Sequence, residues 1–464
     1  MCRLAFLGLS VASPVAAQAA EAWQPPTLTT TRYDEDWSDL ADPSERTGRW
    51  TEPFKYIRVG DEGAYATAGF ELRFRDEDYR NNLWGDGPAP DDGYLWVRAI
   101  PHVDLHVGRV RAFVQPIAAY AVGVRPSASP VDQTRADLLQ GFVDVRLGEA
   151  RTGDATGTGV TLRAGRQMLS LGTERLVGTR YGPNVPLAYD GFRALASLGG
   201  ATLSLVAVRP VDAGPGAFDD RRSHSKALWG GYATVPNSHG GIDLYYLGYR
   251  NARASFGGRT GRELRHSLGG RWFGEVRNWH WNIEGVAQFG RFAGGPIRAW
   301  TFATEIGHRF SNTPFAPDLL VRVNYASGDR DSGDRRLGTF NALFPKGKYF
   351  GELSPVGPYN LINVNPQVST SLGGGISASL AGMAYWRASR GDGVYDIPGN
   401  LIRAPGATAA RFVGKEAEAM LSWQVSPELE LSASLSAFAP GGFIRATGAA
   451  RTIRMLGLES NFRF

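Results

Sequence analysis

From Tyr65 to the C terminus, apolar and polar residues alternate with a period of two in one short segment after another, the spacing that gives a β-strand two unlike faces. The last stretch, Arg451 to Phe464, shows it clearly: Leu456, Leu458, Phe462 and Phe464 share one face, and Gly457, Glu459, Asn461 and Arg463 the other. One face suits lipid and the other suits water. The same pattern predicts strands near 65–75, 94–106, 110–122, 138–147, 159–169, 191–198 and 201–209. Weaker alternation marks three more near 225–233, 241–250 and 264–273. A very regular eleventh runs through Trp281, Ile283, Ala287 and Phe289, and others lie near 297–310, 317–326, before Gly373, from 376 to 387, 412–424 and 429–438.

The connections follow a parity. Turns after even-numbered segments are mostly short, as at 106–109, Gly199–Gly200, Gly373–Gly374 and 426–428. Those after odd-numbered segments are mostly long, as at 76–93, 170–190, 327–365 and 388–411. A soluble sandwich has no reason to obey this rule, and a membrane barrel with short periplasmic turns does. The expected fold is therefore all-β: a transmembrane antiparallel up-and-down β-barrel of about 18 strands, with long extracellular loops, spanning residues 64–464. An even strand count puts both barrel ends in the periplasm.

The N-terminal part agrees with export. Arg3, the apolar run Leu4–Val11 and small residues up to Ala19 form a signal peptide over residues 1–19. Residues 20–63 lack any sustained period and carry several prolines, which reads as a periplasmic segment that tucks into the barrel mouth or lies against its rim. The only cysteine, Cys2, falls in the signal, so the mature chain has no thiol, disulfide or thiolate metal site. No apolar run long enough for a helical membrane span follows it. The expected location is the outer membrane of a Gram-negative bacterium, with outer-membrane lipid, lipopolysaccharide and the barrel assembly machinery as partners.

Charge refines the picture. The formal net charge of +5 is too small to indicate a nucleic-acid binder. Lys55, Lys226, Lys346, Lys348 and Lys415 are the only lysines, so arginine dominates the basic residues. Strand parity directs Arg73, Arg75, Arg98, Arg111, Arg146, Arg163, Arg193, Arg265, Arg271, Arg309, Arg322, Arg387 and Arg463 toward the lumen. It sends Glu71, Asp104, Asp144, Glu284, Glu305, Glu416, Glu418 and Glu459 there as well. One reading is a network of ion pairs that makes inward charges tolerable. The other is an electropositive surface for polyanions, since guanidinium forks match carboxylates and stay charged. The arginines outnumber the acids, which favours the second.

Several stretches resemble the alginate export family of outer-membrane barrels: GRQMLSLGTERLVGTRYGPN (165–184), DGFRA (190–194), the long segment 327–366 and SRGDGVYDIPGN (389–400). The resemblance runs from about Arg32 to Phe464. It implies a monomeric eighteen-stranded barrel with an arginine-rich lumen, partly occluded by an inward loop, that passes an anionic polysaccharide outward. The expected pore-lining binding residues are Arg73, Arg75, Arg98, Arg111, Arg146, Arg163, Arg193, Arg265, Arg271, Arg322 and Arg387. The loop at 327–365, with Asp329, Asp331, Arg335, Arg336, Lys346 and Lys348, is expected to act as a gate held by internal salt bridges, and a solvated outer loop is the alternative. The aspartates lack the glycine and distal glutamate of an EF-hand.

No cofactor, catalytic motif or metal pattern is evident, and the histidines are scattered. The expected function is a passive pore exporting alginate or a related polyuronate, fed by a periplasmic secretion partner. The alternatives are an anion-selective porin for uptake of small carboxylate or phosphorylated solutes and an outer-membrane hydrolase.

Overall fold

The computed structural model describes residues 24–60, 63–148, 158–331 and 333–464. The expected signal peptide, 1–19, lies outside the described residues. Eighteen long strands follow one another: β1 (Tyr65–Arg80), β2 (Asp92–Val107), β3 (Val110–Val122), β4 (Thr134–Leu147), β5 (Gly159–Met168) and β6 (Ala188–Leu198). Next come β7 (Ala201–Asp212), β8 (Lys226–Asn237), β9 (Gly240–Phe256), β10 (Arg259–Val276), β11 (Trp279–Phe292) and β12 (Gly295–Arg309). The last are β13 (Asp318–Ala326), β14 (Leu361–Gly373), β15 (Ile376–Arg387), β16 (Phe412–Ser426), β17 (Leu429–Pro440) and β18 (Ile453–Arg463).

Each strand pairs antiparallel with its sequence neighbours, and β18 pairs with β1 in the register Glu71↔Arg463, Leu72↔Phe462, which closes the barrel. Backbone bonds between Phe70 and Phe464, 3.2 and 3.0 Å, fasten the C terminus onto β1. Closure leaves no free sheet edge, a requirement inside a bilayer, where no water satisfies a bare peptide group. The end where β1 begins and β18 finishes, which also holds most of the two-residue turns, is periplasmic by the same rule.

The outward faces carry the apolar residues: Phe74, Val103, Val114, Leu162, Leu205, Leu244, Leu268, Leu380, Leu435 and Leu458 are all exposed. Aromatic pairs stand toward both ends of this band, Trp272 with Trp281 on the periplasmic side, Trp300 with Tyr325 and Trp386 with Phe412 on the outer side. Such girdles match the two membrane interfaces.

The N-terminal segment packs into the periplasmic mouth. Tyr33, Trp37 and Leu40 are buried. The Tyr33 hydroxyl donates to the Met168 carbonyl at 2.7 Å, and its ring meets Phe113 and Phe142 edge-on. A short helix α1 (Glu52–Lys55) follows. Its Lys55 ammonium donates to the Ala68 carbonyl at 3.1 Å and lies over the rings of Trp37 and Phe464. Burial, reinforced by Arg32, holds the Lys55 pKa down to about 7.

This depression has a sign. The released segment takes up a proton on Lys55 at a higher pH than the docked one does, so docking strengthens as pH rises from about 7 toward the ordinary lysine value and weakens as pH falls back to 7. The Lys55→Met variant is expected to dock more tightly at pH 7 and to lose this dependence. Trypsin cleavage after Arg46 and Arg49, compared with a strand-core control at each pH, reads it. Equal cleavage of both proteins at pH 7 and pH 9.5 would refute it.

Candidate functional site

Two outer loops fill the lumen, and the inward arginines explain how. Residues 169–187, between β5 and β6, cross the barrel from wall to wall. On the β1–β2 wall, Arg73 donates to the Gly182 and Pro183 carbonyls at 3.0 and 2.9 Å. Arg98, with no exposed surface, donates to the Tyr181 and Pro183 carbonyls at 3.1 and 3.0 Å and pairs with Glu71 at 2.6 Å. The Tyr181 hydroxyl donates to the same Glu71, and the Arg98 guanidinium lies over the Tyr181 ring. Asn184 donates its amide to the Tyr120 and Asp132 carbonyls. On the opposite wall, the loop's own Arg175 reaches Glu284 on β11 and Glu305 on β12, at 3.2 and 2.9 Å, and Asn324 on β13 at 2.8 Å.

Residues 327–360, between β13 and β14, pack onto this first loop. Gly178 donates its N–H to the Phe344 carbonyl, Phe344 donates to Leu176, and Lys346 donates to Glu174, at 2.9, 2.8 and 2.9 Å. The result is a short parallel backbone pairing across the pore, with Val177 opposite Phe344. Leu171, Leu176, Val177, Phe340, Leu343 and Phe344 are buried around it. Irregular backbone at membrane depth is tolerable here because these bonds and the barrel wall satisfy it. Arg265 latches the same loop: it is fully buried, pairs with Glu263 at 2.6 Å and donates to Gln288 at 2.8 Å and the Thr339 carbonyl at 3.2 Å. Gln288 and Asn341 exchange bonds of 2.7 and 2.9 Å.

The charged residues of the long loop have separate duties. Asp329 pairs with Arg259 of β10 at 3.5 Å, and its N–H donates to Asp392 of the 388–411 loop. Burial and the nearby Asp392 push the Asp329 carboxyl up. Asp331 caps the Gly333 N–H, and Arg335 is exposed. Arg336 donates its N–H to Asp334. Burial pushes the Lys346 ammonium down. Lys348 bonds Glu352 at 2.5 Å and Glu77 at 3.5 Å. Among the described residues, Lys348–Glu352 is the one ion pair inside this loop. Contacts to the barrel and the other loops hold the rest, because a segment threaded through a lumen meets walls before it meets itself.

Other inward arginines are also engaged. Arg75 binds Glu77, Glu352 and Glu459 at 2.5 to 2.8 Å. Arg271 pairs with Asp243 at 2.5 Å, and Arg322 approaches Glu305 at 3.6 Å. Arg387 donates to the carbonyls of Arg390, Asp392, Pro405, Thr408 and Ala410, so it organises the 388–411 loop.

A different arrangement lines a cavity of about 580 Å³ in the periplasmic half, which brings together Arg109, Arg111, Arg146, Arg163 and Arg193. Arg111 is held by Asp104 at 2.6 Å, and Arg163 by Asp144 at 2.8 Å. Arg193 donates to the Ser204 hydroxyl at 2.8 Å and Arg146 to the Gly108 carbonyl at 2.8 Å. Among the described residues neither has a carboxylate partner, nor has Arg109. Asp34, Glu35 and Asp36 of the N-terminal segment form part of the rim.

Parity placed Arg111, Arg146, Arg163 and Arg193 on the inward face but missed Arg109, which sits in the β2–β3 turn where parity does not apply. It also missed Arg175, which lies in a loop; the matched stretch 165–184 was the signal that contained it. One trio of acids, Asp137, Asp219 and Asp220, has carboxylate oxygens within 4.8 Å of one another. Asp219 and Asp220 accept the Gly216 and Gly214 N–H groups and so cap their own loop, while Asp137, within β4, accepts the Leu138 N–H and lies 3.6 Å from Arg166.

A closed barrel with a lipid-facing apolar band, a charged interior and inward outer loops defines an outer-membrane pore. The chain belongs to the alginate export family, whose sequence profile matches residues 64–457. No curated protein matches it significantly by sequence. Among solved structures it is similar to Pseudomonas aeruginosa OccK2 (OpdF), with a TM-score of 0.58 and 12% identity over 86% of this chain and 97% of that one. OccK2 has also been crystallised in complex with glucuronate; that structure gives a TM-score of 0.57 and 13% identity over 86% and 98% of the two chains. A BenF-like porin from Pseudomonas fluorescens Pf-5 gives 0.58 and 10% over 86% and 98%. Family and fold are those of transport pores.

Proposed function

We propose that this pore carries an anionic polysaccharide, alginate or a related polyuronate, from the periplasm to the cell surface. The observation that carries the reading is the periplasmic cavity, where Arg109, Arg146 and Arg193 face open space without carboxylate partners among the described residues. A guanidinium already paired with an acid has little to offer a ligand. One left on a neutral oxygen keeps most of its attraction for an anion. Three such groups bind successive carboxylates weakly, which retains a polymer without trapping it. The loop pairing at Gly178 and Phe344 is the gate, and the polymer passes when that pairing parts. The chain carries no nucleotide motif, so flux follows the supply from the periplasmic side.

Uptake of small carboxylates is the second reading. It is favoured by the closed loop pairing across the lumen, which bars a polymer while it holds, and by the fold shared with OccK2, crystallised with glucuronate. Single-channel recording in planar bilayers separates the two. The export reading expects anion selectivity and block by mannuronate or guluronate oligomers but not by glucan of matched length. Arg146→Ala with Arg193→Ala is expected to raise the blocking concentration about tenfold, because two charge-assisted contacts are lost. Anion selectivity with no block by either oligomer would replace export with uptake.

A further inference from the structure

The loop pairing divides the lumen, and a second cavity of about 620 Å³ lies on its outer side. It shares no lining residue with the periplasmic cavity. We infer that this outer cavity is a second binding site for a short stretch of anionic sugar, specific for uronate residues and reached from the cell surface. The inference rests on the polyanion reading given above, but the site has its own residues.

Its chemistry is distinct from that of the inner cavity. Arg180, Lys226 and Arg253 supply positive charge. Two acids, Asp212 and Glu263, also line it, and Glu263 is consumed by Arg265 at 2.6 Å and the Asn341 amide at 3.1 Å. The balance that a ligand meets is therefore positive. Arg253 is exposed and has no carboxylate partner among the described residues. The rings of Tyr249, Phe256 and Tyr359 also contribute to the lining.

The Tyr359 hydroxyl is the second line of argument. Tyr359 is only 1% exposed, yet its hydroxyl has no hydrogen-bond partner among the described residues. A buried hydroxyl left unpaired costs about 1–3 kcal/mol, so such a group in a cavity wall calls for a partner. Asn251 lies in the same wall, whereas the Asn341 and Asn400 amides there are engaged by Glu263 and Asp396. Cations for carboxylates, the Asn251 side chain and the unpaired Tyr359 hydroxyl for sugar hydroxyls, and ring surface for the C–H face of the sugar together match a uronate. The volume falls within the about 300–1,000 Å³ typical of small-ligand sites.

Isothermal titration of the intact detergent-solubilised protein with a mannuronate trimer tests this, with maltotriose as the neutral control. Two binding events per chain are expected. Lys226→Ala with Arg253→Ala should weaken one of them about tenfold and leave the other unchanged. Tyr359→Phe, which keeps the ring and removes only the hydroxyl, should weaken the same event about threefold. Arg146→Ala with Arg193→Ala should act on the other event alone. Heat-modifiable migration on gels confirms that each variant folds. A Lys226/Arg253 double variant that titrates like the wild type overturns the inference, as does equal binding of maltotriose. If the Arg146/Arg193 variant alone is without effect, the inner polyanion site fails and the outer one stands.

Discussion

Replacing residues 339–346 by a Gly–Ser tract of equal length is expected to raise single-channel conductance by about an order of magnitude, because it removes the apolar side chains that wedge the second loop against the first and loosens the backbone pairing between them. These residues supply the Phe344 and Lys346 backbone groups that close the pairing with Leu176, Gly178 and Glu174. They also supply the apolar wedge of Phe340, Leu343 and Phe344. The wall residues that lose partners, Glu263, Arg265 and Gln288, would then face water and be solvated by it. The strand ladder does not involve the replaced residues, so closure of the barrel through β1 and β18 persists. A variant that migrates as a folded barrel but conducts like the wild type would show that the constriction lies elsewhere.

The same distinction between wall and loop separates what the sequence reveals from what it hides. Segment 110–122 matches β3 at both ends, and the turn at Gly199–Gly200 joins β6 to β7 with both glycines at positive φ. In the weak region the strands β9 and β10 exist but run farther outward than the alternation shows, to Phe256 and from Arg259. Those outer ends carry Arg253, Arg259 and Arg262, and beyond the bilayer neither face has to be apolar, so the two-residue contrast fades. Parity also reads direction well: Arg73, Arg98 and Arg265 are all buried inside. Parity says nothing of partners. Arg98 and Arg73 bind carbonyls of residues 181–183, and a carbonyl has no side-chain identity for a sequence to display. The inward arginines therefore look alike in the sequence and divide in space into those that hold loops and those that face the cavity.

Arg98→Ala is expected to destabilise the barrel by about 3–5 kcal/mol, the usual consequence of leaving one member of a buried ion pair alone. Glu71, which is 2% exposed, would keep only the Tyr181 hydroxyl and lose its guanidinium. Urea unfolding in lipid vesicles measures the loss. Arg98→Leu combined with Glu71→Leu removes both charges and is expected to recover most of that stability. It does not restore the Arg98 bonds to the loop, and the Tyr181 and Pro183 carbonyls are left with Arg73 as their one guanidinium donor. Trypsin should therefore cut after Arg175 and Arg180 in both the single and the double variant, and the open-channel fraction should rise in both. Restored stability with a protected loop would mean that Arg73 alone suffices to anchor residues 181–183. Restored stability with a cut loop would separate the two tasks of Arg98, charge compensation for the wall and a hold on residues 181–183.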